Sequence, residues 1–113
     1  MAKVIRANMA RVAPEAEEKF NRWYNETHIP MLMECKTLRK VTRYKRVTPG
    51  EKYPEYMVIY EFDNLEGFER YSKGPEFAAT VKELGESWPG QGMERGFEME
   101  WRLEFEEIKS WEQ

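Results

Sequence analysis

The chain has one cysteine and one histidine among its 113 residues. A single thiol, Cys35, excludes an intramolecular disulfide and any paired-thiol metal motif. One His and one Cys also fall short of the four ligands that a structural zinc site takes, so neither a metal nor a cofactor is expected. A surplus of one charge is missing too: 18 basic against 21 acidic side chains leave a formal net charge of −3. No basic arm or acidic tail stands apart to attract a nucleic acid. No apolar run approaches the length of a membrane span, and MAKVIRANMARV lacks the charged-then-apolar layout of a signal peptide. These absences point to a cytoplasmic protein with neither a nucleic-acid nor a membrane partner.

Apolar and aromatic residues are well represented, at 41% and 14%. That supply supports an ordered core, and the length suits one domain spanning residues 1–113. Residues Lys3 to Val12 alternate as a strand, with Val4, Arg6, Asn8 and Ala10 on one face and Ile5, Ala7, Met9 and Arg11 on the other. Pro14 fits the first turn of a helix, where Glu15, Glu17 and Glu18 complement the positive end of the dipole. Phe20, Trp23, Tyr24, Thr27 and Met31 then recur at helical spacing. Pro30 disfavours helix at Ile29, so regular helix is expected to end or kink around His28.

Thr37 to Thr48, rich in Val, Thr and Tyr, reads as a second strand. Pro49-Gly50 marks a turn, and YPEYMVIYEF supplies a third strand. Asp63 stands three residues ahead of Glu66 as in a capping box, opening a helix that Gly74-Pro75 interrupts and that Phe77, Val81, Leu84 and Trp88 continue. In the last segment Phe97, Met99, Trp101, Leu103 and Phe105 alternate with charged residues, a strand with one apolar face. The order is βαββαβ, an α+β ferredoxin-like arrangement with a four-stranded antiparallel sheet and both helices on one face.

An aromatic and methionine-bearing outer sheet face calls for a second copy packed against it, so a homodimer is expected. The second strand carries Lys36, Arg39, Lys40, Arg43, Lys45 and Arg46, whereas Glu94, Glu98, Glu100, Glu104 and Glu106 mark the last. If those strands form opposite edges, a two-fold partner would bring basic edge to acidic edge.

With the element order in place, FNRWYNETHIPMLMEC and the RYKR strand after it make the chain resemble the dimeric α/β-barrel superfamily, in particular its EthD-like branch. The resemblance implies a homodimer with facing sheets and outer helices, and a pocket between sheet and helices in each subunit. The superfamily includes cofactor-free monooxygenases, polyketide cyclases, isomerases, lyases and haem proteins, so the fold does not choose a reaction. It also implies that the histidine of His-x-Pro, here His28, lies near the pocket mouth as a candidate for proton transfer.

Helix-end and burial effects act on His28 in opposite directions, which would hold the imidazole near neutrality as a general acid or base. Tyr24, four residues earlier, shares its helical face and is the second candidate catalytic residue. Phe20, Trp23, Met31, Tyr44, Tyr60 and Trp88 are candidates for the pocket wall, with Trp88 placed to close over a ligand or to anchor the core. Met33, Met57 and Met99 offer an adaptable lining. Cys35 lacks a nearby base and reads as structural.

The reading is a metal-independent enzyme that moves a proton on a hydrophobic aromatic or polyketide-like small molecule, in the manner of a cyclase, dehydratase, isomerase or lyase. A cofactor-free monooxygenase and a non-catalytic ligand-binding or stress protein are the alternatives. Haem ligation by His28 and RNA binding by RVTRYKRV rank below them.

Overall fold

The computed structural model describes residues 2–113. Its elements run β1 (Val4–Val12), α1 (Glu17–Trp23), α2 (Ile29–Leu32), β2 (Leu38–Lys45), β3 (Tyr56–Phe62), α3 (Leu65–Lys73), α4 (Pro75–Ser87) and β4 (Phe97–Glu106). The four strands form one antiparallel sheet in the order β2-β3-β1-β4. This is the ferredoxin-like arrangement, with β2 and β4 at opposite edges. Alternation along β1 buries Val4, Arg6, Asn8, Ala10 and Val12, and β3 does the same with Tyr56, Val58, Tyr60 and Phe62. The core lies where these residues meet Phe20, Trp23, Tyr24, Leu32, Tyr71 and Trp88 from the helical layer.

The first helical segment does not stop at the proline. Regular α geometry ends at Trp23, a π turn spans Tyr24–His28, and α2 resumes at Ile29. In the π turn the Ile29 N–H donates to the Tyr24 carbonyl five residues back. Widening the turn lets the chain pass Pro30, which has no N–H to give, without breaking the helix. The extra residue also re-registers the side chains, so that His28 stacks on Trp23, with ring centroids 4.5 Å apart, as well as meeting Tyr24 at 4.9 Å.

Downstream boundaries differ slightly from those in the sequence pattern. The cap of α3 is Asn64 rather than Asp63: its side chain accepts from the Gly67 N–H at 2.8 Å. Gly74 separates α3 from α4, as the Gly-Pro pair predicts. Gly96 precedes β4 with φ +118°, and its carbonyl accepts from the Ala13 N–H at 2.8 Å. A Cβ there would sit 2.9 Å from both the Ala16 Cβ and the Trp88 ring. Gly96→Ala is therefore expected to cost roughly 2 kcal/mol or more. Urea denaturation checks this, and an unchanged midpoint would show that the site relaxes freely.

The largest departure from simple alternation is in β4. Ala10 pairs with Met99, but Met9 pairs with Trp101, so Glu100 is an extra residue in a β-bulge. Arg11 donates to the Glu100 carboxylate and ties the bulged residue down. A one-residue insertion exchanges the two faces of a strand from that point on. Phe97 and Met99 therefore face the helices, whereas Trp101, Leu103 and Phe105 turn to the opposite face and are about half exposed, at 50%, 52% and 51%. The single apolar face expected for this strand is divided between two.

Candidate functional site

The site begins with two polar side chains on the helix-facing side of β1. Arg6 and Asn8 alternate with Val4 and Ala10 on β1 and point beneath the helices. Around them gather Tyr60 of β3, Tyr24 and His28 of the π turn, Leu32 of α2, Tyr71 of α3, and Phe77, Thr80, Val81 and Leu84 of α4. Met99 and Arg102 of β4 complete the wall. Together they enclose a hollow of about 40 Å³ between sheet and helices. That is room for about one water, whereas sites for organic ligands run to ~300–1,000 Å³.

The lining is more polar than the sequence pattern implies. Arg6 lies over the Phe68 ring at 4.8 Å and donates from Nε to Glu104 at 3.0 Å. Thr80 donates to the Phe77 carbonyl at 2.7 Å. Among the described residues, two buried atoms of this lining have no hydrogen-bond partner: Asn8 Oδ1 and His28 Nδ1. Buried polar atoms are normally satisfied, so an unpaired acceptor and an unpaired ring nitrogen at one hollow mark a place for another molecule, a water or a ligand.

Burial decides the protonation of His28. The ring is 9% exposed and its pKa falls to about 4, chiefly through loss of solvent; the Arg102 charge pushes the same way and the Glu83 carboxylate opposes both. The near-neutral balance expected from a helix end does not arise, because the helix continues past His28 and leaves no free carbonyl terminus beside it. At pH 7 the imidazole is neutral. Burial likewise pushes the Tyr24 phenol up, while a hydrogen bond from Tyr60 and the nearby Arg43 and Arg102 charges work against that shift. Burial also holds the Tyr60 and Tyr71 phenols in their protonated forms.

Of the side chains singled out in the sequence, His28, Tyr24 and Tyr60 meet at the hollow. Trp23 stands behind His28 and holds it by stacking, its own Nε1–H donating to Glu83 at 2.9 Å. Phe20 is core, packed on Tyr24, Tyr56 and Phe97. Trp88 is a fully buried anchor against Phe20, Trp23 and Phe97, not a cover for a ligand, because α4 ends by turning its ring inward. Met31 is half-buried outside the lining, since the π turn gives the inward position to Leu32.

Tyr44 is exposed on the opposite sheet face, where Met9, Tyr53 and Met57 flank it. Of the methionines proposed as lining, only Met99 reaches the hollow; Met57 pairs with Met9 on the far side of the sheet. Cys35 is buried, 3.3 Å from the Thr37 hydroxyl. Sequence reasoning missed Arg6, Asn8, Tyr71, Thr80 and Arg102. For the first two the signal was present, as polar residues sharing a strand face with Val4 and Ala10. For Arg102 it was hidden by the bulge.

A family model described as a domain of unknown function, DUF4286, matches residues 7–94. The chain belongs to that family. No curated protein matches the DUF4286 chain in sequence. Solved structures do match its fold. An EthD family protein from Bacillus halodurans C-125 is 20% identical, with a TM-score of 0.68 over 96% of this chain and 100% of that one. SnoaB, a cofactor-independent oxygenase from Streptomyces nogalater, is 18% identical, with a TM-score of 0.62 over 97% of each chain. A dimeric protein of unknown function with a ferredoxin-like fold from Bacteroides fragilis is 22% identical, with a TM-score of 0.61 over 92% of this chain and 95% of that one. The likeness to the dimeric α/β-barrel fold seen in the sequence is therefore present in three dimensions.

Proposed function

We propose that the protein is a small-molecule enzyme in which neutral His28 takes a proton from an aromatic or polyketide-like substrate held between sheet and helices. The observation that carries this reading is the pair of unsatisfied atoms, His28 Nδ1 and Asn8 Oδ1, at one buried hollow. A neutral imidazole accepts the proton of an acidic C–H or O–H and becomes imidazolium while the substrate becomes an anion. Both charges form in a low-dielectric space, where their attraction offsets the burial that otherwise disfavours His28 in its charged form. Returning the proton to another atom of the substrate completes an isomerisation or initiates a cyclisation. Tyr24, with its ring beside the imidazole, is protonated and able to hydrogen-bond the substrate oxygen.

The hollow is too small for such a substrate as it stands, so binding requires α4 to move away from the sheet. Phe77, Thr80, Val81 and Leu84 form its wall there, and α4 follows directly on Gly74. Proton abstraction is testable without knowing the natural substrate. Anthrone in deuterated buffer exchanges its acidic C–H, and NMR reads the rate. The native protein is expected to accelerate exchange and His28→Gln to lower the acceleration roughly a hundredfold, with an unchanged near-UV circular dichroism spectrum. Equal exchange in both proteins would end the assignment. SnoaB supports oxygenation as a second reading, since removing a proton is also what makes an electron-rich ring reactive toward oxygen. Oxygen uptake in the same experiment separates the two.

The active form is a homodimer. Ile5, Ala7 and Met9 of β1, Met57 and Ile59 of β3, Tyr44 of β2, and Trp101, Leu103 and Phe105 of β4 share the sheet face that no helix covers. A continuous apolar face of this kind on a monomer marks an interface, and the dimeric ferredoxin-like protein from Bacteroides fragilis supports the same arrangement here.

A further inference from the structure

We infer that the ligand of this site carries an ionised oxygen, a phenolate or enolate, and that Arg102 is the residue that recognises it. This rests on the proposed function and adds the chemical class of the substrate. The first support is geometric. Arg102 pairs with Asn8 across β1 and β4 and lines the hollow only because the Glu100 bulge exchanged the faces of the strand before it. Without the inserted residue, Trp101 and Leu103 would face the helices and Arg102 would join the outer face. Bulges beside sites commonly re-aim a side chain in this manner.

The second support is the charge inventory. Glu100 and Glu104 flank Arg102 on its own strand, but Arg11 engages the first and Arg6 the second. Arg102 takes part in no salt bridge among the described residues. From the helical side the hollow faces it with His28, Tyr24 and Tyr71. Its guanidinium is thus a cation without a salt-bridge partner at the edge of a hollow whose lining holds no carboxylate, and the other cation of that lining, Arg6, is engaged by Glu104.

The third support is consistency with the proton chemistry. Arg102 contributes to keeping His28 neutral, and the same positive charge favours the anion that loss of a proton creates. Guanidinium and imidazole then divide the work, one holding the charge and the other taking the proton. The unpaired Asn8 Oδ1, facing Arg102 across the strand pair, is placed to accept from a neighbouring hydroxyl on the same ligand.

The test uses 4-nitrophenol, whose ionised and neutral forms absorb at different wavelengths, with 4-nitroanisole as a partner that cannot ionise. Saturating native protein is expected to raise the ratio of phenolate to phenol about tenfold at fixed pH, which is one pKa step. Arg102→Gln should abolish that shift, and Arg102→Lys should restore part of it. Arg102 is exposed, so folding of the variants is not at stake. An equal shift in native protein and Arg102→Gln, preferential binding of the anisole, or no binding of either probe would each overturn the assignment. Anthrone exchange that still depends on His28 would leave the proposed function standing in any of those cases.

Discussion

Leu103→Glu is expected to convert the protein from dimer to monomer, with the dissociation constant rising on the order of a thousandfold. Leu103 lies in the middle of the apolar stretch of β4, paired with Ala7 on the uncovered sheet face. In a two-fold interface each substitution occurs twice, so losing ~2 kcal/mol of leucine burial per chain removes ~4 kcal/mol, about three decades in affinity. Sedimentation at micromolar concentration reads the result directly: twice the chain mass for the native protein, the chain mass for the variant. Equal masses at all concentrations would show that the face is not the interface.

Salt should have little effect on the proposed dimer, and the reason separates the proposed apolar interface from the electrostatic one that the sequence invites. The basic and acidic strands do occupy opposite edges. Much of their charge is nevertheless engaged within the chain. Arg43 donates to Asn21 and Asn25, Lys45 lies 3.6 Å from Glu17, Arg39 lies 3.6 Å from Asp63, and Glu100 and Glu104 bind Arg11 and Arg6. Exposed pairs of this kind contribute little each. Bringing the edges of two copies together would exchange existing partners for new ones, whereas the apolar face gains partners it does not have.

The bulge at Glu100 also explains where sequence reasoning reached its limit. Strand order, the broken second helix and the burial of one face of β1 follow from local periodicity and from Gly and Pro, and these were legible. The division of β4 into an inward Phe97-Met99 half and an outward Trp101-Leu103-Phe105 half was not, because alternation in a sequence counts residues and a bulge adds one without changing the pattern. The π turn had the same effect on the site. Helical spacing pairs His28 with Tyr24, but the face-on contact with Trp23, five residues away, exists only because one turn is wider than the rest. In both places the site depends on a one-residue irregularity, and the residues it brings in are the ones periodicity misassigned: Arg102 in one case, Leu32 in place of Met31 in the other.

Acidification is expected to destabilise the native protein more steeply than His28→Gln, by roughly 3 kcal/mol once the pH has fallen to about 4. In the folded chain burial lowers the His28 pKa to about 4 from the ordinary 6.5. Above pH 6.5 the ring is neutral whether the chain is folded or not, and it contributes no pH dependence. Between those values the unfolded chain binds a proton that the folded chain refuses, so stability declines as the pH falls through the window. The glutamine has no proton to bind, and subtracting its profile removes the contribution of the many carboxylates common to both proteins. Urea denaturation at pH 7.5, 5.5 and 4.5 measures the difference, and parallel profiles would mean that solvent reaches the ring. Binding an anion at the hollow should narrow the gap, because a negative charge beside the imidazole favours the proton that burial excludes. A smaller acid loss in the presence of 2,4-dinitrophenolate, a more acidic phenol that stays largely ionised at these pH values, seen in the native protein and absent from His28→Gln, would therefore connect the buried base to the ligand through stability alone.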